Sequence, residues 1–509
     1  MQKTILIIAI TTFLLLQFTI TAQNAFELSI STLNEDASLR MIQNSEGNFI
    51  LVGTKYNDYY QPTEINGYIA EINTKGEIER EKNITLDDTL IGLYDILENN
   101  KGGYHVFGAV GNIDTGYTDK YAFFEFDKEF NILKKHYYSI PINRKMPGGF
   151  AFKNSDNNYI IFGSVRSSKP ETYGIFPVLL EISETGAFIR EKYLIDTETI
   201  SGDPIFDIIE KKDHSGYFVI TRRFPKSTDG LSGRVLNLDK NFNLQSHINI
   251  PKRVHNAGTI KWFTDTSFIL SGTKTLDWSK KTTKDINAQD NDIAIMILDT
   301  LGNLINSTYI GKPDTTDFPG FFFNFDYVAD SSSIYVVGTQ GFVFSSFPNT
   351  KSKIILTKLD RDLNVIWEKF YGGDAYYIVY SVQTTNDNGC IIISARYNPD
   401  KPEYQDDIHI LKVDFHGNII ASVEDEPTIN VSELILYPNP GTSELKIRTA
   451  KQSVGGIFYL YDISGKQILQ KQITDINTSI NTLILQKGIY IYKYIYKNKM
   501  LESGKWIKN

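Results

Sequence analysis

Short apolar runs, each opened by small polar residues and closed by a small one, recur along residues 47–418. Seven copies are legible, at 48–53, 103–108, 158–163, 216–221, 267–272, 333–338 and 389–394. A second run follows each and ends in a turn resembling Asp-x-x-Gly-Asn, at Asn73, Asp127, Ser183, Asp239, Asp299, Asp360 and Asp414. These turn positions lie 54, 56, 56, 60, 61 and 54 residues apart, with no helix-length pattern between them. A steady period of this length, built from short β-forming runs, predicts an array of small sheets.

Each copy divides into four strands, in the second copy at 93–97, 104–107, 122–126 and 132–137. The second strand of a copy is apolar at nearly every position, as in a strand covered on both faces. The fourth carries charge, as in Glu77-Ile-Glu-Arg-Glu-Lys82. A propeller blade needs that gradient, because its inner strands pack between neighbours while the outermost meets water. The pattern therefore predicts an all-β protein with a seven-bladed β-propeller over residues 24–423. An open solenoid of the same hairpins is the rival, but capping repeats are not evident. Residues 26–32 read as a strand lent to the last blade, tying the ends together.

Connection lengths single out one end of the array. Turns between the first two strands are short and rich in Asp, Asn and Gly, as at 44–47, 213–216 and 386–389. Connections between the second and third strands are long and dissimilar: 55–66, 109–120, 165–174, 222–233, 273–291, 339–352 and 395–407. Variable loops on a rigid scaffold are where binding usually resides. They carry Tyr59, Tyr60, Tyr117, Tyr173, Phe224, Trp278, Phe342, Phe347, Tyr397 and Tyr404. Four copies also place a base two residues past the small one, at Lys55, Arg223, Lys274 and Arg396. One reading is a cationic and aromatic rim for a sugar or acidic polymer, with Lys55, Arg223, Lys274, Arg396, Tyr60, Trp278 and Tyr397 as its contacts. The blander reading is that long loops simply collect Tyr, Lys and Arg.

Charge narrows the partners. The 509 residues carry a net −8 with no long basic block, so nucleic acid is not an expected partner. Residues 1–22 read as a signal peptide, with Lys3 ahead of an apolar stretch and small residues at Thr21 and Ala22. No other stretch reaches membrane-spanning length. The single cysteine, Cys390, lies in an apolar run and reads as a buried small hydrophobe.

Catalytic signatures are missing from the sequence. The seven histidines form no metal-binding spacing, and no nucleophile elbow, phosphate loop or dinucleotide fingerprint occurs. Asp285, Asp290 and Asp292 lack the fixed spacing of a calcium loop and read as a solvated segment. Neither a metal nor a cofactor is expected.

The repeat stops after Asn418, and residues 424–431 form a polar linker. Alternating runs at 445–447, 457–462, 467–470, 479–485 and 488–496 then predict a small Ig-like β-sandwich over 432–509. Four elements occur in order there: Tyr437-Pro438-Asn439-Pro440, the run ending Asp462-Ile-Ser-Gly465-Lys466, Gly488-Ile-Tyr490, and Gly504-Lys505-Trp506-Ile-Lys508. Residues 432–509 resemble the C-terminal sorting domain of type IX secretion cargo in the Bacteroidota. Trp506 departs from that family, where an aliphatic residue is commoner. The resemblance implies handling by type IX machinery and passage through the periplasm to the surface or the medium. Two functions remain open on the sequence: non-catalytic binding of a glycan or protein on the long-loop face, or a polysaccharide-active enzyme with paired carboxylates at the channel mouth.

Overall fold

The computed structural model describes residues 25–31, 35–56, 64–112, 117–139, 149–167, 174–194, 199–201, 205–225, 232–251, 254–255, 258–275, 290–327, 333–342, 350–397, 406–419, 434–449, 454–463, 465–496 and 499–509. The signal-peptide reading of 1–22 and the linker at 424–431 lie outside them. Among the described residues every regular element is a β-strand, and no helix is long and apolar enough to cross a membrane. The chain divides into two compact units, Met1–Ser422 and Val423–Asn509.

In the larger unit, among the described residues, seven antiparallel sheets follow one another along the chain. The second is representative, with strands Thr89–Glu98, Tyr104–Asn112, Tyr117–Phe126 and Ile132–Ser139 in that order. Its burial falls from the second strand, fully buried but for its last residue, to the fourth, which is largely exposed. In sheets four, five and six the first strand is broken in two, as at Asp317–Pro319 and Phe325–Asp326. Here Phe321 and Phe322 turn aside and donate their N–H groups to the carbonyls of Val379 (3.1 Å) and Tyr380 (2.9 Å) in sheet seven. The periodic pattern did not signal this insertion.

Apolar cores lie at the junctions between successive sheets. Ile50 and Val52 meet Ile96 and Val106 between the first and second, and Phe107 meets Ile161 and Val178 between the second and third. The series continues through the later junctions. Leu51 and Tyr68 of sheet one also pack with Ile391 and Ile410 of sheet seven, so the last sheet meets the first. Each fully buried Leu, Ile or Phe contributes roughly 1.5–3 kcal/mol. The expected lent strand is present: Phe26–Ile30 pairs with Asp406–Val413 as the outermost strand of sheet seven, Phe26 opposite Lys412 and Ile30 opposite Ile408.

The recurrent turn has a physical basis. Asp127 Oδ1 accepts the Asn131 N–H at 2.7 Å, and its Oδ2 accepts the Asn131 side-chain amide at 2.9 Å. Asp239 with Asn243, Asp299 with Asn303, Asp360 with Asn364 and Asp414 with Asn418 repeat the arrangement. The residue before the asparagine takes a positive φ, which favours glycine, yet Phe130 (62°), Phe242 (61°) and Leu363 (63°) stand there in three copies. All three are buried, so apolar contact offsets the backbone strain. The asparagines also reach across junctions, accepting from Lys82 at Asn131 (2.9 Å), Lys192 at Asn243 (3.1 Å) and Lys369 at Asn418 (2.7 Å).

The smaller unit holds two sheets. Leu434–Tyr437, Glu444–Thr449 and Asn477–Asn481 form one, and Gln467–Gln472, Ile457–Asp462, Gly488–Tyr496 and Lys499–Lys508 the other. Alternate residues of both sheets, including Leu445, Ile447, Phe458, Leu460, Tyr494 and Trp506, meet in one core. The fourth expected run, 479–485, is shorter and earlier than expected, because Leu485 N–H bonds the Thr482 carbonyl (3.0 Å) in a turn.

Candidate functional site

The centre of the larger unit is built from the first strands of its sheets. Pairing register aligns Arg40, Asp95, Phe150, Asp207 and Ser381 at one position of the repeat, and Thr259 and Asn324 accept backbone bonds from Ser271 and Val337 at the same position. Most of the polar members are held by the neighbouring sheet. Arg40 Nε lies 3.3 Å from Asp95 Oδ1, and Asp95 Oδ2 accepts the Ala151 N–H at 2.9 Å. Asp207 Oδ2 accepts the Ile260 N–H at 3.0 Å, Thr259 Oγ1 accepts the Asn324 N–H at 3.0 Å, and Ser381 Oγ donates to the Leu39 carbonyl at 3.0 Å. Burial pushes the carboxyl of Asp95 up and that of Asp207 to about 6.

Aromatic rings fill the space between. Phe150 of sheet three lies 4.8 Å from Phe322 and 5.1 Å from Phe323, both in the inserted segment of sheet six. Arg40 of sheet one stands 4.0 Å over the Phe323 ring. Sheets one, three and six are not sequential neighbours, so these contacts close the centre at this level with apolar side chains.

At the end where the long connections leave, Lys55 and Arg396 are engaged in place. Lys55 Nζ sits 3.9 Å over the Tyr68 ring. Arg396 bonds Asp374 Oδ2 (2.7 Å) and the Tyr377 hydroxyl (3.2 Å). Burial raises the Asp374 carboxyl, but bonds from Arg396 and Tyr377 outweigh it and hold the group at about 2. Lys274 is half-buried and stands opposite Asp292 in the ladder. Arg223 lies opposite Ser232. Tyr397 is turned into the core with Phe342, Tyr376 and Ala395, and bonds Asp406. Tyr60 and Trp278 lie outside the described residues, as do Tyr59, Tyr173, Phe347 and Tyr404.

Carboxylates occupy the same end, among them Asp292, which the sequence placed in a solvated segment and which instead stands half-buried in the strand Asn291–Asp299. Asp407 stands opposite Arg396 at the start of a third strand, just as Asp292 stands opposite Lys274. Asp36 and Asp317 begin first strands at matching positions, opposite Lys55 and Gln340. Burial lifts Asp406 to about 7, with Asp36 and Asp407 adding to the rise. Asp292 is lifted to about 6 by burial and then by Asp290 and Asp317. Asp317 Oδ2 is itself occupied by the Lys312 N–H (2.6 Å) and Thr315 Oγ1 (2.8 Å). Among the described residues no group of three or more His, Cys, Asp or Glu side chains is placed to hold a metal ion. A signal was available in the sequence: an Asp at the start of a first or third strand, beside a base in the first, fifth and seventh copies and opposite Gln340 in the sixth.

Outside this end, the titratable groups that drew attention in the sequence serve the core. Cys390 is fully buried and burial pushes its thiol well up. His105 Nδ1 pairs with the Tyr159 hydroxyl at 2.6 Å, and burial lowers its pKa.

In the smaller unit, the opening motif and the closing tail bind each other. Asn439 accepts the Ile507 N–H at Oδ1 (2.9 Å) and donates from Nδ2 to the Lys505 carbonyl (2.9 Å). Trp506 is fully buried and donates from Nε1 to the Pro438 carbonyl (2.9 Å), so the unusual tryptophan has a place made for it. An added Cβ on Gly441 would lie 2.8 Å from that indole. Asp462, Gly465 and Lys466 form the expected hairpin turn, with Gly465 at φ 83° and the Lys466 N–H on Asp462 Oδ1 (3.1 Å). Tyr490 is buried and bonds the Gln486 carbonyl (2.8 Å), while Gly504 lies where a Cβ would meet the Tyr492 ring.

Comparisons with known proteins place these observations. No curated protein matches the chain. Among solved structures, the periplasmic gluconolactonase of Pseudomonas aeruginosa is similar at 10% identity and a TM-score of 0.43, covering 72% of this chain and 96% of its own. The β-propeller domain of the Trilobed protease from Pyrococcus furiosus aligns at 8% identity and a TM-score of 0.33, covering 80% and 99%. PorZ, a surface component of the type IX secretion system of Porphyromonas gingivalis, aligns at 8% identity and a TM-score of 0.24, covering 93% and 86%. At such distances they bear on neither substrate nor partner. Residues 435–509 match the family described as the secretion system C-terminal sorting domain, which marks the chain as type IX cargo, exported across the outer membrane to the surface or the medium.

Proposed function

We propose that residues 24–423 form a closed seven-bladed β-propeller, joined through 424–431 to an Ig-like sorting sandwich at 432–509. In this reading the exported chain is a non-catalytic recognition protein. It takes a glycan or protein ligand at the end of the propeller where the long connections leave. The observation that carries it is the state of the central ring: Asp95 and Asp207 accept N–H groups of the next sheet, and Phe322 and Phe323 fill the space beside them. Carboxylates so engaged serve closure of the ring rather than proton transfer to a bound sugar.

A second reading, a polysaccharide-active enzyme, has one observation in its favour. Asp292 and Asp406 have carboxyls raised into the range a general acid needs. The two readings separate on a glycan array probed with the full chain, scoring retention and product release together. Retention without release supports recognition. Released oligosaccharide, lost in Asp292→Asn or Asp406→Asn, would establish the enzyme instead.

A further inference from the structure

Charge is divided unevenly between the units. Residues 435–509 hold eleven Lys and Arg against four Asp and Glu, a net +7, which leaves −15 on the rest of a chain whose total is −8. Exposed apolar side chains are divided unevenly too. Of the twenty large apolar residues that stand exposed among the described positions, eight belong to the smaller unit, a small fraction of the chain.

The two features meet on one sheet face. Along Gly488–Tyr496 the buried Tyr490, Tyr492 and Tyr494 alternate with the outward Ile489 (47% exposed), Ile491 (39% exposed) and Lys493. Pairing aligns Tyr461, Ile491 and Lys505 in one row across three strands, and Tyr459 with Lys493 in the next. Tyr459 and Tyr461 stack at 6.2 Å and 20°, and Lys493 Nζ lies 5.6 Å from the Tyr461 centroid. The outer side of this sheet is therefore an aromatic and aliphatic strip flanked by lysines, the composition of a docking surface rather than of a solvated one.

Resting on the export reading, we propose that this face, made by Tyr459, Tyr461, Ile489, Ile491, Lys493 and Lys505, is where the sorting unit docks on the export machinery, against a protein surface with an apolar centre and an acidic rim. Complementary charge would speed the encounter, and the strip would hold the complex. The opposite sheet supplies the control, because Lys446 and Arg448 are exposed bases there as well.

The test is made on the full chain in a type IX-secreting host. Ile489→Asp with Ile491→Asp, and separately Lys493→Glu with Lys505→Glu, should each lower the amount at the surface and in the medium at least tenfold and raise the periplasmic amount. Lys446→Glu with Arg448→Glu makes the same charge change elsewhere and should export normally. Thermal unfolding of each purified variant must match the parent, which separates lost docking from lost fold. Normal export of both face variants would overturn the proposal, as would equal loss in the control pair, which would mean net charge and not this face. A parent chain that sediments as a dimer, and as a monomer after the same substitutions, would give the face to a second copy and also overturn it. Removal of 435–509 distinguishes the two levels: blocked export of the deletion beside normal export of the face variants sinks the face alone, whereas normal export of the deletion sinks the sorting reading itself.

Discussion

The carboxylate of Asp207 in sheet four accepts the backbone N–H of Ile260 in sheet five at 3.0 Å, and with its other oxygen the N–H of Ile208 at 2.9 Å. One side chain thereby joins two sheets at the centre. Asp207→Ala leaves both N–H groups without an acceptor, at about 1–3 kcal/mol per buried group. Its urea midpoint should fall well below the parent's, and Asp207→Asn, which keeps one acceptor, should fall less. Equal losses in the two variants would argue against the latch.

Acidity acts on the same group and its peers. Asp207 and Asp292 are raised to about 6 and Asp406 to about 7, from an ordinary 3.8. The folded chain then holds protons that the unfolded chain has lost, so these groups make stability fall as pH rises from about 4 to 7. Asp374, held at about 2, acts the other way, and its contribution is lost only below about pH 4. Asp406→Asn should flatten the upper part of the profile and raise Tm at pH 8, by about 2 °C for each kcal/mol recovered. Thermal unfolding across pH 4–8 reads this directly, and an unchanged slope in the variant would contradict it.

At the turn of sheet four, Phe242 combines a φ of 61° with complete burial. Removing the ring costs about 3–4 kcal/mol in either small variant. Glycine, however, relieves the positive φ at which alanine remains strained, by about 1 kcal/mol. Phe242→Gly should therefore be more stable than Phe242→Ala by denaturant unfolding, the reverse of the order at an ordinary strand position.

In the sorting unit, Trp506→Phe keeps most of the ring but removes the N–H that reaches the Pro438 carbonyl, at about 1 kcal/mol. Trp506→Ala also empties the core, at about 3–5 kcal/mol. Calorimetry of the full chain should show a low-temperature transition for this unit that moves in that order, with the larger unit's transition unmoved.

The repeat was legible because its signals are local. A strand covered on both faces must be apolar throughout, and an Asp-to-Asn turn must carry glycine or a well-buried substitute at the positive φ. The sorting unit was legible because four short motifs stand in order along it, although the bonds from Asn439 to backbone groups of Lys505 and Ile507 were not. What escaped the sequence depends on neighbours that period and composition do not reveal. The period gave no sign that Phe321–Phe323 leave the sheet to bond sheet seven and pack against Phe150. Arg396 and Lys274 stand opposite Asp407 and Asp292 of a later strand, which period and composition do not show. Pairing register alone brings them together.

Export is the claim on which the functional account rests, and fractionation of a type IX-secreting host tests it most directly. The full chain and a chain lacking 435–509 are followed by immunoblot in the medium, the surface fraction and the periplasm. The account predicts the full chain at the surface or in the medium, and the shortened chain folded, protease-resistant and confined to the periplasm. A shortened chain at the surface in normal amount would contradict it.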